Sequence, residues 1–170
     1  SDKQEATNFF LRGNTKYKEK EYHESIKWYT EAVQKQAQFP DAYYNRGLVY
    51  QSLEKNEEAL ADFSKAVEQD ASFAPALFKK TEILQSMDRI DEALASAEVL
   101  VKNFPDSSAN WSLQGNIQMQ KSLWNESLAS YDRALVLDKN SVETMINQGV
   151  VYQELDQLDL AEKMFQKALA

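Results

Sequence analysis

The chain has 170 residues, 43% of them apolar, and its 19 Lys plus Arg against 27 Asp plus Glu give a formal net charge of −8. Cysteine is absent, which excludes a disulfide framework, a thiol nucleophile and a thiolate metal site. No apolar run approaches the roughly 18 residues of a membrane span, and the acidic balance argues against binding nucleic acid or an anionic membrane through net charge.

No apolar leader with a cleavage site stands near Ser1, so a cytoplasmic location is expected. With four Gly and three Pro, the chain has too few turn residues for an all-β protein. Ala, Leu, Glu, Lys and Gln, all good helix formers, fill the remainder. About 70% of the unfolded surface can be buried at this length.

The glycines set a register. Gly13 and Gly47 are 34 residues apart, as are Gly115 and Gly149, and the interval between the two pairs is 68. Fixed periods in the 20–50 residue range mark stacked supersecondary units. With glycine as position 8, the units are 6–39, 40–73, 74–107, 108–141 and a shorter fifth, 142–170.

Each unit is expected to form two helices. In the first unit Phe9 and Gly13 share a stripe of the first helix, and Ser25, Tyr29, Ala32 and Val33 share one on the second. The second unit opens on Pro40, a residue suited to a first helical turn. It places Tyr43 and Gly47 against Ala59, Phe63, Ala66 and Val67. The third unit, with Pro75 near its start, departs most: Thr81 replaces glycine, Ala97 the aromatic residue and Leu100 the alanine. The fourth restores the pattern with Trp111, Gly115, Ser127, Tyr131 and Ala134. The fifth has Ser141 before it as a candidate N-cap, then Met145, Gly149, Ala161, Phe165 and Ala168. Small residues at positions 8 and 20 allow close helix approach, and large ones at 4 and 24 fill the space beside them.

This pattern resembles the tetratricopeptide repeat family across essentially the whole chain. The best unit reads Ala42-Tyr43-Tyr44-Asn45-Arg46-Gly47-Leu48-Val49-Tyr50, followed by Glu58-Ala59-Leu60, Phe63 and Ala66. The resemblance implies an all-α, right-handed superhelical solenoid of about five helix-turn-helix repeats, forming a single array over residues 1–170. It implies first helices on a concave side, where a partner's extended peptide or helical segment would lie. The groove-lining residues it points to are Phe10, Asn14, Tyr44, Asn45, Phe78, Lys79, Asn116 and Asn147. Asparagine offers a donor and an acceptor together, so it can pair with an extended backbone. Aromatic neighbours shield such bonds from water, or else pack between adjacent first helices.

Some members of the family hold acidic chaperone tails with a carboxylate clamp. Asn14, Asn45 and Lys79 match three of its five positions, while Phe10 and Pro75 replace two lysines. Arg12, Arg46 and Lys80 lie nearby, but their phase turns them toward the side of the helix. The implied function is therefore a non-enzymatic interaction module. The alternatives are a co-chaperone-type domain with a partial clamp, or an assembly scaffold within a larger repeat protein.

No catalytic residue, cofactor or metal site is expected. His23 is the single histidine and is expected in a solvent-facing turn. Carboxylates such as Glu57 and Glu58 stand at second-helix starts, where they favour the helix dipole. The last helix carries Leu158, Leu160, Met164 and Phe165 with no polar capping helix after it, so it is expected to meet a further unit or another copy of the chain. An Asn45→Ala change is expected to leave stability within about 0.5 kcal/mol, as at an exposed site.

Overall fold

The computed structural model describes residues 1–170 as ten α-helices and no strand. They form two compact units, Ser1–Ile83 and Leu84–Ala170. The first contains α1 (Asp2–Lys18), α2 (Tyr22–Lys35), α3 (Pro40–Ser52) and α4 (Asn56–Gln69), together with most of α5 (Ala74–Ser86). The second contains the end of α5, then α6 (Ile90–Asn103), α7 (Ser108–Gln120), α8 (Trp124–Leu137), α9 (Val142–Glu154) and α10 (Leu158–Leu169).

In the first unit α1 packs on α2, α2 on α3 and α3 on α4. The second unit repeats the scheme with α6 on α7, α7 on α8, α8 on α9 and α9 on α10. First helices of successive repeats also touch, α1 with α3 and α7 with α9.

The small-against-large pairing is the core of each helix pair. A Cβ added at Gly13 would sit 2.6 Å from the Tyr29 ring, and one at Gly115 equally close to Tyr131. At Gly47 it would meet Phe63 at 2.7 Å, and at Gly149 it would meet Phe165 at 2.5 Å. None of these glycines has positive φ, so glycine is needed here for close approach alone. Tyr29, Phe63 and Tyr131 are fully buried, as are Ala32, Ala66 and Ala134 one turn on.

Position 20 adds a polar contact. The buried Ser25 hydroxyl donates to the Gly13 carbonyl at 2.8 Å, and Ser127 donates to the Gly115 carbonyl at the same distance. Each serine thus fills a small site and satisfies its own hydroxyl.

Helix starts differ between first and second helices. Ser1, Ser107 and Ser141 cap α1, α7 and α9 by accepting from a backbone N–H three residues on. Pro40 occupies the first turn of α3. None of α2, α4, α6, α8 and α10 has a side-chain cap. Asn56, Asp91 and Asn125 lie inside the first turns of α4, α6 and α8, and His23 is exposed in the first turn of α2 rather than in the connecting turn.

The turns inside the helix pairs share one geometry. Lys20, Glu54, Asp88, Ser122 and Asp156 have φ between 58° and 61°. The residue after each donates its N–H back across the turn, as Glu21 does to the Lys16 carbonyl and Leu123 to that of Gln118. This is the Schellman closure, which consumes carbonyls left over at the helix end. It holds a non-glycine residue in the left-handed region at a cost of about 1–2 kcal/mol.

Candidate functional site

The residues expected on the first-helix face come from α1, α3 and α5 in the first unit, and from α7 and α9 in the second. In the first unit the Tyr29 hydroxyl donates to Asn14 Oδ1 at 2.5 Å, and Asn45 Nδ2 donates to the same oxygen at 3.0 Å. In the second unit the Tyr131 hydroxyl donates to Asn116 Oδ1 at 2.5 Å, and Asn147 Nδ2 donates to it at 3.2 Å. The four asparagines are half-buried. Each cluster ties a second helix to its own first helix and to the first helix of the next repeat.

These bonds orient the amides. With Oδ1 of Asn14 accepting twice, its Nδ2 is left as a donor. With one Nδ2 hydrogen of Asn45 committed, its Oδ1 is left to accept. Each pair therefore keeps an unspent donor on one carboxamide and an unspent acceptor on the other. Burial pushes the Tyr29 and Tyr131 phenols up to about 12, so they remain protonated donors at neutral pH.

The aromatic residues beside them are wedged into rings that the sequence reading did not assign. Phe10 packs on Tyr29 with centroids 5.8 Å apart and on Phe39 at 5.0 Å. Tyr44 packs on Phe63 at 5.8 Å and on Phe73 at 4.9 Å. Each partner in the second set follows its counterpart by one 34-residue period. Phe10 and Tyr44 thus combine packing between elements with a half-exposed edge. Phe78 is half-buried with no ring partner. The signal for Phe39 and Phe73 was their shared position at the end of a unit, where Ser107 and Ser141 stand in later repeats.

The cations near this face are already engaged. Lys79 Nζ lies 3.3 Å from Glu82 Oε1 in an exposed pair one turn away. Such a pair is worth at most about 1 kcal/mol. Arg46 makes a two-pronged contact with Asp62 at 2.8 and 2.7 Å, reaches Thr30 at 3.2 Å, and lies between the rings of Tyr43 and Tyr50. Burial pushes the Asp62 carboxyl up, and the Arg46 bonds pull it back toward the charged form. Arg12 stacks over Trp28, its guanidinium 4.9 Å from the ring centroid.

A fold of paired helices with polar side chains aligned along successive first helices defines an α-helical repeat protein of the interaction type. Family profiles described as "TPR repeat" over residues 13–54 and "Tetratricopeptide repeat" over 40–73, 75–107 and 142–170 match the sequence. The chain belongs to the tetratricopeptide repeat family, whose repeats serve in protein–protein interaction as a generally non-enzymatic scaffold.

Among solved structures it is similar to MamA residues 41 to the end from Desulfovibrio magneticus RS-1, at 17% identity and a TM-score of 0.90, covering 97% of this chain and 93% of that one. It is also similar to YrrB, described as a TPR protein with an unusual peptide-binding site, at 20% identity and a TM-score of 0.84, covering 95% and 83%. PilF of Pseudomonas aeruginosa matches at 14% identity and a TM-score of 0.81, covering 99% and 77%. No curated protein sequence matches the chain. At these identities the likeness is one of fold. No helix is long and apolar enough to cross a membrane.

Proposed function

We propose that the first-helix faces bind an extended segment of a partner polypeptide, with Asn14, Asn45, Asn116 and Asn147 reading its backbone. The carrying observation is the paired carboxamide, in which a buried phenol and a neighbouring asparagine fix one amide and leave a donor and an acceptor unspent. A backbone presents the complementary acceptor and donor at every residue, so the match asks for no particular partner sequence. Side-chain selectivity would come from Phe10, Tyr44 and Phe78. Pre-fixed amides lose little rotamer entropy on binding, which favours affinity.

Affinity capture from a lysate, using wild type beside an Asn45→Ala, Asn147→Ala double variant, tests this. Loss of a partner from the variant supports the reading, and an unchanged set of captured proteins overturns it.

The chaperone-tail alternative retains Asn14, Asn45 and Lys79 at matching positions. It is weakened by the missing cations, because Arg46 is engaged by Asp62 and Lys79 by Glu82. It requires binding that depends on a free C-terminal carboxylate and falls sharply with salt.

A further inference from the structure

The other side of α9 carries a cavity that is separate from the carboxamide face. Met145, Gln148 and Tyr152 line it from α9, and α8 and α10 close it on either side. At 100° per residue these three positions centre roughly 170° around the helix from Ile146, Asn147 and Val150. The cavity has a volume of about 520 Å³, within the range of small-ligand and side-chain pockets.

Its chemistry is divided. The floor is apolar, with Met145, Met164 and the Tyr152 ring, and at its edge Val136 and Leu160 stay 71% and 43% exposed. Around the floor stand Lys139, Lys163 and Lys167, all exposed and none in an ion pair or hydrogen bond. The cations of this unit are Arg89, Lys102, Lys121, Arg133 and these three, so a strongly acidic chain gathers three free ammonium groups at one pocket. Asp132 also lines the cavity, and its carboxylate is engaged by Gln148 Nε2 at 2.6 Å.

The second repeat shows how the same framework looks when filled. At the equivalents of Met145, Gln148 and Tyr152 it carries Tyr43, Arg46 and Tyr50, with the guanidinium held between the rings and bound to Asp62. In the fifth repeat the equivalent of Asp62 is Met164, and positive charge stands at Lys163 and Lys167 instead. The cation has moved from inside to the rim, and the acid has moved from the position of Asp62 to Asp132, the equivalent of Thr30, where Gln148 holds it.

We infer that this pocket of α8, α9 and α10 is a second docking site, for an acidic peptide segment that buries one large apolar side chain in the cavity and sets flanking carboxylates against Lys139, Lys163 and Lys167. The occupant follows from complementarity. Ammonium groups on both sides of an apolar floor suit carboxylates on both sides of an apolar anchor, and bonds between charged groups are stronger than neutral ones. The site is independent of the carboxamide face.

The test uses the full chain and an acetylated, amidated probe, Asp-Glu-Phe-Glu-Asp, with binding followed by fluorescence anisotropy and backbone NMR shifts. Shifts are expected on α8 and α10. Lys163→Gln with Lys167→Gln should weaken binding roughly tenfold or more, since two charge-assisted contacts are lost. Met145→Trp, which takes the fourth repeat's residue at this position, should block the cavity. Probes with Gln for the acids or Ala for Phe should bind more weakly. The Asn45→Ala, Asn147→Ala variant should bind the probe as wild type does, which separates this site from the proposed function. Equal affinity for the wild type and the lysine variant overturns the inference. So do shifts centred on Asn116 and Asn147, or saturation of the cavity by octanoate while the peptide leaves it untouched.

Discussion

The phenol of Tyr29 donates to Oδ1 of Asn14 from the neighbouring helix, and this one bond decides what the first-helix face can offer. It commits the amide oxygen and leaves the amide nitrogen as the remaining donor, and it converts a fully buried hydroxyl from a liability into a brace. Tyr131 and Asn116 repeat it in the second unit.

Asn14→Ala removes the acceptor and leaves the Tyr29 hydroxyl buried without a partner. A stability loss of about 1–3 kcal/mol is expected, measured by chemical denaturation. Asn45→Ala removes one donor from an oxygen that keeps another, so it should cost about 0.5–1.5 kcal/mol. That exceeds the value expected for a free surface residue, because Asn45 is half-buried and bonded. Equal costs for the two variants would contradict the arrangement.

Gly115→Thr places a Cβ within 2.6 Å of the Tyr131 ring and should destabilise the fold by about 1–3 kcal/mol. Tyr131→Ala alone leaves a cavity and should cost about 3–5 kcal/mol. The third repeat carries Thr81 and Ala97 at these two positions, a small-for-large exchange within one repeat. The double variant should therefore lose at least about 1 kcal/mol less than the sum of the singles, a coupling readable in a double-mutant cycle.

Ser122 sits at φ 61° in the turn between α7 and α8. Ser122→Gly relieves left-handed strain worth about 1–2 kcal/mol and gives back part of that in unfolded-chain entropy. A net gain of about 0.5–1 kcal/mol is expected from thermal or urea melts. The same change at Lys20 should act alike, since its φ is also 61°.

Alkali should unfold the protein through its buried phenols. Burial raises Tyr29 and Tyr131 from an ordinary 10 to about 12 in the folded state. The folded state therefore holds these protons more tightly than the unfolded chain. Their contribution is fully present below pH 10 and is lost as pH climbs through 12, by about 3 kcal/mol for each phenol at most. Denaturation midpoints measured across that window should fall, and ultraviolet titration should show these two tyrosinates appearing last. Tyr131→Phe should flatten part of the slope.

Much of this was readable along the chain. The glycine spacing, the small residues at Ser25, Ala59, Ser127 and Ala161, and the aromatics at Tyr29, Phe63, Tyr131 and Phe165 specify helix pairs, because size complementarity inside a pair is local and recurs with the period. The partnership of Tyr29 with Asn14 had a signal too. Asn stands at position 9 in the repeats that carry Tyr at position 24, and Leu48 accompanies Phe63 where the hydroxyl is missing.

Composition and period by themselves specified paired helices recurring every 34 residues, and the family resemblance supplied the residues expected on the first-helix face. Only the tertiary structure decided which polar groups were consumed. Arg46 turns to Asp62, Phe10 and Tyr44 wedge against Phe39 and Phe73, and the strained turn falls on residues as unlike as Lys20 and Ser122. The reason is physical. Helix pairing depends on periodic side-chain size, whereas hydrogen-bond allocation, turn strain and a cavity walled by three helices depend on distances between groups that one-dimensional spacing does not hold.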